Sequence, residues 1–227
     1  MRVFVVIPAY NEAEKIGPVV RDIFSLYPDF QVVVVDDGST DATAAEAEAA
    51  GAKVLRHVLN RGQGAALRTG TEFALRGRAE IIVHFDADGQ FETKEIAKII
   101  EPLQKDECQV VLGSRFLKND GVSPGSSGIP WSKKFFLLPL GRLVNFFFTG
   151  LWLSDAHNGL RALSRAAAEK IKIMQDRMAH NSEIISTIRK NKLSFKEVPV
   201  TVYYHEYGQG LGGGVKIIRD LLIQKFF

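Results

Sequence analysis

The sequence predicts an α/β domain with a mainly parallel, twisted sheet between helices, because short apolar runs alternate with segments of helical spacing. Residues 3–7 and 31–35 are rich in valine, isoleucine and phenylalanine, as is typical of strands buried on both faces of a parallel sheet. Residues 14–27 lie between them and repeat apolar side chains at intervals of three and four, the spacing of an amphipathic helix. The chain therefore opens with a β-α-β unit.

The following segments continue this alternation. Residues 42–50 are rich in alanine, which has a high helix propensity, and Gly51 ends that helix before a strand around Val54. The next predicted elements are a helix over 65–75, a strand over 81–85 and a helix over 93–105. Turn-forming residues are concentrated over 118–130, which we interpret either as a mobile active-site flap or as a passive surface loop.

Length and composition indicate one enzyme-sized domain. The 227 residues are 46% hydrophobic, which is enough to bury a full core in a single domain. Lys and Arg number 29 against 26 Asp and Glu, and this small excess of positive charge does not favour a nucleic-acid partner. Cys108 is the single cysteine and cannot form an intramolecular disulfide. Because the first residues also lack the pattern of a signal peptide, we expect a cytoplasmic protein.

Acidic residues follow three of the apolar runs. They are Glu12, Asp36, Asp37, Asp86 and Asp88. Open parallel sheets bind ligands outside the carboxyl ends of their strands, so we expect these five acids to converge at one edge. The pair in Asp86-Ala87-Asp88 suits a hard divalent cation such as Mg²⁺ or Mn²⁺, which leaves positions open for phosphate oxygens. An isolated D-x-D is more often an ordinary turn, but after this series of strands a nucleotide diphosphate site is the better interpretation.

Six motifs occur in order between about residues 3 and 210. They are Pro8-Ala9-Tyr10-Asn11-Glu12, Asp36-Asp37-Gly38-Ser39-Thr40-Asp41, Asn60-Arg61-Gly62-Gln63-Gly64-Ala65-Ala66, Phe85-Asp86-Ala87-Asp88-Gly89-Gln90, Gly113-Ser114-Arg115 and residues 154–162. The first five resemble motifs of the family-2 inverting nucleotide-sugar glycosyltransferases. The sixth resembles the polyprenyl-phosphate branch of that family, the dolichyl-phosphate mannosyl- and glucosyltransferase-like enzymes. Each motif is weak alone, whereas six in order are specific.

The resemblance implies a GT-A type fold and a single glycosyltransferase domain over 1–227. Within it, residues 1–115 would bind the nucleotide sugar, and residues 116–227 would bind the acceptor and face a membrane. The implied reaction transfers a hexose from a UDP- or GDP-sugar to a polyprenyl phosphate, with inversion and with a divalent metal. The implied donor-site residues are Pro8, Tyr10, Glu12, Asp37, Asp86, Ala87, Asp88 and Gln90, of which Asp88, Gln90 and Asp86 would hold the metal.

The acceptor decides which further residues are needed. A hydroxyl acceptor requires a general base, and Asp155 would be that base. A polyprenyl phosphate is already anionic and needs cations that orient it, for which Arg115 is the first candidate and Lys133 and Lys134 are helpers. In that case Asp155 would orient a neighbour or cap a helix. The catalytic candidates are therefore Asp86, Asp88, Arg115 and Asp155. The alternatives are a saccharide or protein hydroxyl as acceptor, and a nucleotide-sugar-binding module without turnover.

The second half of the chain also contains apolar segments that suggest a membrane surface. Residues 135–148 are strongly apolar but are interrupted by polar residues and proline, so we expect interfacial helices near Trp131 rather than a spanning helix. Two amphipathic helices packed on the core are the alternative. The apolar face of residues 215–227 could dock on the membrane or on a membrane-protein partner. We therefore expect a peripheral protein on the cytoplasmic face of a membrane.

Near its end the sequence departs from the family pattern. Residues 204–211 lack the basic residues that dolichyl-phosphate mannosyltransferase-like enzymes tend to have beside a Gly-x-Ser-Lys. The charge of the pyrophosphate would then be compensated by His205, by Lys216 or by the metal alone.

Overall fold

The computed structural model of the protein describes residues 1–117, 146, 150–156 and 158–202. In these residues the strands are β1 (Val3–Ala9), β2 (Gln31–Asp36), β3 (Lys53–Arg56), β4 (Ile81–His84), β5 (Val110–Ser114), β6 (Arg161–Ser164) and β7 (Phe195–Pro199). The helices are α1 (Ala13–Leu26), α2 (Thr43–Ala49), α3 (Gln63–Arg76), α4 (Glu95–Gln104), α5 (Arg165–Lys170) and α6 (His180–Lys190).

The seven strands form one sheet in the order β3-β2-β1-β4-β6-β5-β7. Strand β6 is antiparallel to both of its neighbours, and the other strand pairs are parallel. The predicted α/β fold with a mainly parallel sheet between helices is therefore confirmed. Strands β6 and β7 come from the second half of the chain and complete the sheet that the first half begins.

Burial on both faces explains the continuous apolar runs of the central strands. In β1, Val5 and Ile7 pack against α1 and α4 on one side of the sheet, and Phe4 and Val6 pack against α3 on the other. Helices α5 and α6 also lie on the α3 side, where Ile184 is fully buried. The core thus consists of two apolar layers with the sheet between them.

The elements predicted for the first 105 residues agree with the structure to within a few residues. The helix predicted over 14–27, for example, is α1 over Ala13–Leu26. Strand β6 was not predicted, because Arg161–Ser164 is only four residues long and begins with a charged residue. Strand β7 was not predicted either, because Lys196 and Glu197 in its middle interrupt its apolar residues.

Several predictions concern residues outside the described part of the chain. These are the loop over 118–130, the side chains of Lys133 and Lys134, nearly all of the apolar stretch 135–148, and the segments 204–211 and 215–227. Among the residues that are described, no helix has the length and apolar character needed to cross a membrane.

Candidate active site

A cleft of about 440 Å³ lies at the carboxyl ends of β1, β2 and β4. The described residues that line it are Pro8, Ala9, Tyr10, Glu12, Asp37, Asn60, Gly62, Gln63, Ala66, Asp86, Ala87, Asp88, Gly159, Met178 and Asn181. Seven of the eight predicted donor-site residues are therefore brought together, and Gln90 is the exception. Parallel strands place their carboxyl ends on the same edge of a sheet, which explains why residues 80 positions apart meet here.

Asp37 shapes one wall of this cleft. Its carboxylate is buried and accepts hydrogen bonds from the backbone N–H groups of Arg61 (3.1 Å) and Gly62 (2.6 Å). The imidazole Nδ1 of His57 lies 2.6 Å from the same carboxylate, and its Nε2 lies 3.0 Å from the hydroxyl of Thr69. Asp37 thus fixes the loop that leads into α3, in addition to its predicted place in the donor site.

Asp36 does not belong to the cleft, so the prediction that five acids converge is wrong for this residue. Its side chain is fully buried, lies 3.0 Å from Nε of Arg56 and accepts a hydrogen bond from the backbone N–H of Ser39. Successive side chains of a strand point to opposite faces, so two adjacent aspartates at its end are directed differently. Of the five acids predicted to converge, Glu12, Asp37, Asp86 and Asp88 do line the cleft.

Asp86 lies on the floor of the cleft between α3 and the backbone of Gly159. It accepts a hydrogen bond of 2.8 Å from the side-chain amide of Gln63. A Cβ atom at Gly159 would lie 1.9 Å from Oδ2 of Asp86, so only glycine permits this close approach. Burial and the negative charge of Asp88 raise the pKa of Asp86 to about 6, although Arg161 and Arg115 act in the opposite direction.

Arg161 supplies a buried positive charge near this floor. Its guanidinium donates to the backbone carbonyls of Asn158 (3.1 Å) and Gly159 (3.3 Å) and to the side chain of Asn181. Burial lowers the pKa of Arg161 to about 10, and the attraction of Asp86 opposes this shift. Arg161 therefore stays charged at neutral pH and partly balances the acids above it.

The Asp86–Asp88 pair has the chemistry expected of a divalent-cation site that is completed by a substrate. No group of three or more His, Cys, Asp or Glu side chains suited to a metal occurs in the described part of the chain. A magnesium ion, however, commonly uses only one or two carboxylates and takes its other ligands from phosphates and water. The two carboxylates lie close enough for Asp88 to raise the pKa of Asp86, which is the repulsion that a cation would relieve. The residues present therefore fit such a metal.

Gln90, the third predicted metal ligand, is connected to the site through its backbone. Its N–H group donates a hydrogen bond of 3.0 Å to Oδ1 of Asp88. This contact holds the loop that carries Asp88. The role of the Gln90 side chain as a metal ligand stays a prediction.

Arg115 and Asp155, predicted as separate candidates, form one ion pair. Nε of Arg115 donates to Oδ2 of Asp155 over 2.7 Å, and Nη2 donates to Oδ1 over 2.9 Å. Burial alone would raise the pKa of Asp155, but the hydrogen bonds and positive charge of Arg115 outweigh it and hold the pKa below its usual range. A carboxylate held in this way is a weak proton acceptor.

Eight lining residues had no predicted role, namely Ala9, Asn60, Gly62, Gln63, Ala66, Gly159, Met178 and Asn181. The first six lie within the motifs quoted above, but the contact of Gln63 and Gly159 with Asp86 was not visible in the sequence. Met178 and Asn181 lie before and at the start of α6, where the sequence has no sign of a ligand site. Lys133 and Lys134, predicted to help bind an acceptor phosphate, lie outside the described residues.

Two proteins with named activities are similar in sequence to this chain. The protein is similar to the UDP-N-acetylglucosamine–dolichyl-phosphate N-acetylglucosaminyltransferase of Methanococcus voltae, with 33% identity over 98% of this chain and 96% of that protein. It is also similar to the polyprenol monophosphomannose synthase of Mycolicibacterium smegmatis, with 32% identity over 95% of this chain and 83% of that protein.

The fold resembles that of a solved structure, Mycobacterium tuberculosis glucosyl-3-phosphoglycerate synthase in complex with Mn²⁺, uridine-diphosphate-glucose and phosphoglyceric acid. The TM-score is 0.70 at 22% identity, over 97% of this chain and 77% of that one, which supports the GT-A type fold. The model of glycosyl transferase family 2 matches residues 4–172. The cleft, the ordered motifs and these similarities lead to one conclusion: the chain belongs to glycosyl transferase family 2 and is a glycosyltransferase.

Proposed function

We propose that the protein transfers a hexose from a UDP- or GDP-sugar to a polyprenyl phosphate, with inversion and with Mg²⁺ or Mn²⁺ as cofactor. The Arg115–Asp155 ion pair is the observation that carries this choice of acceptor. A hydroxyl acceptor must lose a proton, and general bases work best when their pKa lies near the working pH. Arg115 keeps the pKa of Asp155 below its usual range, so Asp155 is better suited to orient Arg115 than to remove a proton.

The donor would occupy the cleft. Tyr10 is 45% exposed and can stack on the nucleotide base, with Pro8, Glu12, Asp37 and Ala87 around the base and ribose. Asp88 and Asp86 would hold the cation, with Gln90 as a further ligand. When bound, a divalent cation neutralises charge on the leaving nucleoside diphosphate. The Mn²⁺ and uridine-diphosphate-glucose in the glucosyl-3-phosphoglycerate synthase structure support this assignment.

The acceptor phosphate would be oriented by Arg115, with Lys133 and Lys134 as proposed helpers. A guanidinium matches phosphate oxygens through parallel N–H donors, and Asp155 holds this guanidinium in one orientation. The acceptor oxygen is already ionised and can attack the anomeric carbon without a base. The two relatives described above act, by name, on dolichyl phosphate and polyprenol phosphate, which supports a lipid phosphate acceptor here.

A lipid acceptor also requires access to a membrane, and we propose peripheral attachment to the cytoplasmic face. Trp152 is 62% exposed, and its ring lies 5.8 Å from the ring of Phe146 in an edge-to-face arrangement. Exposed tryptophan and phenylalanine are typical of protein surfaces that enter the headgroup region. Phe146 belongs to the apolar stretch 135–148 that we expect at the membrane interface, and Trp152 follows it closely in the chain.

Transfer assays with paired acceptors test this function. The protein would be incubated with UDP-glucose, UDP-N-acetylglucosamine or GDP-mannose, with and without MnCl₂, and release of nucleoside diphosphate and formation of glycolipid would be measured. A short polyprenyl phosphate should be glycosylated, while the matching polyprenol and 3-phosphoglycerate should not. NMR of the product reports inversion from its anomeric configuration. Transfer to a hydroxyl acceptor alone would contradict the proposal, as would donor binding without any turnover.

A further inference from the structure

Glu197 is a half-buried carboxylate on the edge strand β7 that contacts the loop carrying Asp155. Its Oε1 accepts hydrogen bonds from the hydroxyl of Ser154 (2.6 Å) and from the backbone N–H groups of Ser154 (2.9 Å) and Asp155 (3.3 Å). Its Oε2 lies 3.1 Å from the same Ser154 N–H group. Bonds to an ionised acceptor are stronger than bonds between neutral groups. Glu197 therefore ties two successive backbone N–H groups, those of Ser154 and Asp155, to the sheet.

The Ser154 hydroxyl extends this connection to the backbone around Arg115. It lies 2.6 Å from the hydroxyl of Ser114, the fully buried last residue of β5. The Ser114 oxygen in turn accepts hydrogen bonds from the N–H groups of Phe116 (3.2 Å) and Leu117 (3.3 Å). Ser114 and Phe116 are the two neighbours of Arg115, so the network reaches both sides of this residue.

An ionised carboxylate at position 197 also gives a direction to the hydrogen bonds described for this network. An ionised Glu197 can only accept, so the Ser154 hydroxyl proton points to Glu197. Ser154 then has lone pairs for Ser114, and the Ser114 proton points to Ser154. The Ser114 oxygen is left to accept from the backbone N–H groups beyond Arg115. A neutral side chain at position 197 would remove the charged acceptor that sets these hydrogen-bond directions.

The position of Glu197 is itself determined by the sheet. Strand β7 pairs in parallel with β5, with Leu112 opposite Glu197 and Ser114 opposite Pro199. The N–H group of Val200 also donates to the carbonyl of Ser114 over 2.9 Å. Residues 197–200 are thus held in register against the strand that leads into Arg115, and the carboxylate approaches Ser154 from a rigid element.

We propose that Glu197 and Ser154 are positioning residues for acceptor transfer, which hold the Arg115–Asp155 pair in its two-bond geometry. This inference rests on the proposed function, in which Arg115 orients the acceptor phosphate. Neither residue needs to touch a substrate, because both act through the backbone and side chain of Asp155. The expected signature is a defect on the acceptor side, with donor binding unchanged.

Steady-state kinetics of four variants test the inference. Glu197→Gln and Ser154→Ala should lower kcat/KM for polyprenyl phosphate by roughly tenfold and leave the KM for the nucleotide sugar within about twofold. Ser154→Thr keeps the hydroxyl and should restore most of the loss. Lys196→Gln is the matched control, because Lys196 neighbours Glu197 on β7 but is exposed and pairs with Glu107 at the surface. The control should behave as the wild type.

A second measurement does not depend on the acceptor. Thermal unfolding of Arg115→Ala, Asp155→Asn and the double variant gives the coupling between these two residues. The same cycle in a Glu197→Gln background should show the coupling reduced to less than about half. If the wild type fails to glycosylate polyprenyl phosphate, the proposed function is wrong, and this cycle still decides whether Glu197 positions the pair.

The inference is overturned if the coupling is the same in both backgrounds, or if Ser154→Ala and Ser154→Thr are equally impaired. An equal rise in the KM for the nucleotide sugar and in the KM for the acceptor would also overturn it, since that pattern indicates a general structural defect. Should Glu197→Gln not fold, the unfolding cycle in a Ser154→Ala background replaces it, with Ser154→Thr as its control. Near-ultraviolet circular dichroism identifies the folded variants.

Discussion

The guanidinium of Arg115 holds the carboxylate of Asp155 through hydrogen bonds of 2.7 and 2.9 Å, although the two residues are 40 positions apart in the chain. This contact joins the end of β5 to the loop before β6, near enough to the cleft for the charge of Arg115 to lower the pKa of Asp86. It changes how both residues are interpreted, because a carboxylate that orients an arginine is not free to act as an independent base.

Arg115 and Asp155 should respond differently to substitution. Arg115→Ala should lower sugar transfer by about 2 kcal/mol in transition-state free energy, the usual loss for a charged hydrogen-bond partner. Arg115→Lys should recover only part of this, because a point charge lacks the planar arrangement of donors. Asp155→Asn should retain substantial turnover, with a loss of roughly tenfold or less, because an ionised phosphate has no proton to remove. The measurement is the rate of sugar transfer by each of the three variants at a fixed concentration of the nucleotide sugar.

The opposite result would identify a hydroxyl acceptor. If Asp155→Asn is inactive with donor binding intact and Arg115→Ala works normally, the acceptor is a hydroxyl and Asp155 is its base. Circular dichroism must first show that the three proteins are folded.

The ion pair should also make stability depend on pH in the acid range. The pKa of Asp155 is lower in the folded protein than in the unfolded chain, so its stabilising contribution is complete above the unfolded value, about 4, and is lost as pH falls through the folded value. The difference in unfolding free energy between the wild type and Asp155→Asn should be constant from pH 8 to about 5 and should shrink below about 4. Urea unfolding at a series of pH values measures it.

An exposed aspartate supplies the control for this experiment. Asp29→Asn, at the turn before β2, should change stability little at every pH. A wild-type advantage over Asp155→Asn that grows as pH falls would contradict the assigned direction of the pKa shift.

Asp88→Asn should abolish the metal-dependent part of donor binding. An amide supplies an oxygen but no charge to offset a divalent cation. Calorimetry of UDP or GDP with and without Mn²⁺ measures the effect, and Asp29→Asn is the control, since Asp29 is an exposed carboxylate at the turn before β2, outside the cleft. Metal-dependent affinity that survives in Asp88→Asn would remove this residue from the metal site.

Gly159→Ala should weaken donor binding without a change in charge. The new methyl group would lie 1.9 Å from Asp86 and must displace its carboxylate from the floor of the cleft. We expect a loss of about tenfold in affinity for the nucleotide sugar in the presence of Mn²⁺. Gly17→Ala is the control, because Gly17 does not line the cleft and its methyl group would meet only the ends of two flexible side chains, Arg21 at 3.2 Å and Glu46 at 3.6 Å. Equal affinities for the two variants would show that Asp86 can move without consequence.

Phe146 and Trp152 should contribute to membrane attachment. The wild type should co-sediment with vesicles that contain anionic phospholipids, and the double variant Phe146→Ser/Trp152→Ser should release a larger fraction of the protein to the supernatant. Val58→Ser is the control, because Val58 is a fully exposed apolar residue in the loop after β3. If the double variant loses its thermal transition altogether, these aromatic rings belong to the core instead.

The first strands of the sheet and most of the residues of the cleft can be predicted from the sequence. Strands β1, β2 and β4 are buried on both faces, and this requirement appears directly as continuous apolar runs. The carboxyl ends of such strands must share an edge, so the spacing along the chain was sufficient to place Glu12, Asp37 and Asp86 together. Pro8 and Tyr10 were added to the same site by the resemblance of the motifs to the glycosyltransferase family.

Which charged groups meet across the chain depends on the three-dimensional fold. Asp36 and Asp37 are adjacent in sequence, yet one pairs with Arg56 inside the protein and the other lines the cleft. The contacts of Arg115 with Asp155 and of Glu197 with Ser154 span about 40 residues and depend on β6 lying between β4 and β5. Hydrogen bonds are short and directional, so they form only where the fold brings two groups within about 3 Å, and no periodicity in the sequence reports that distance.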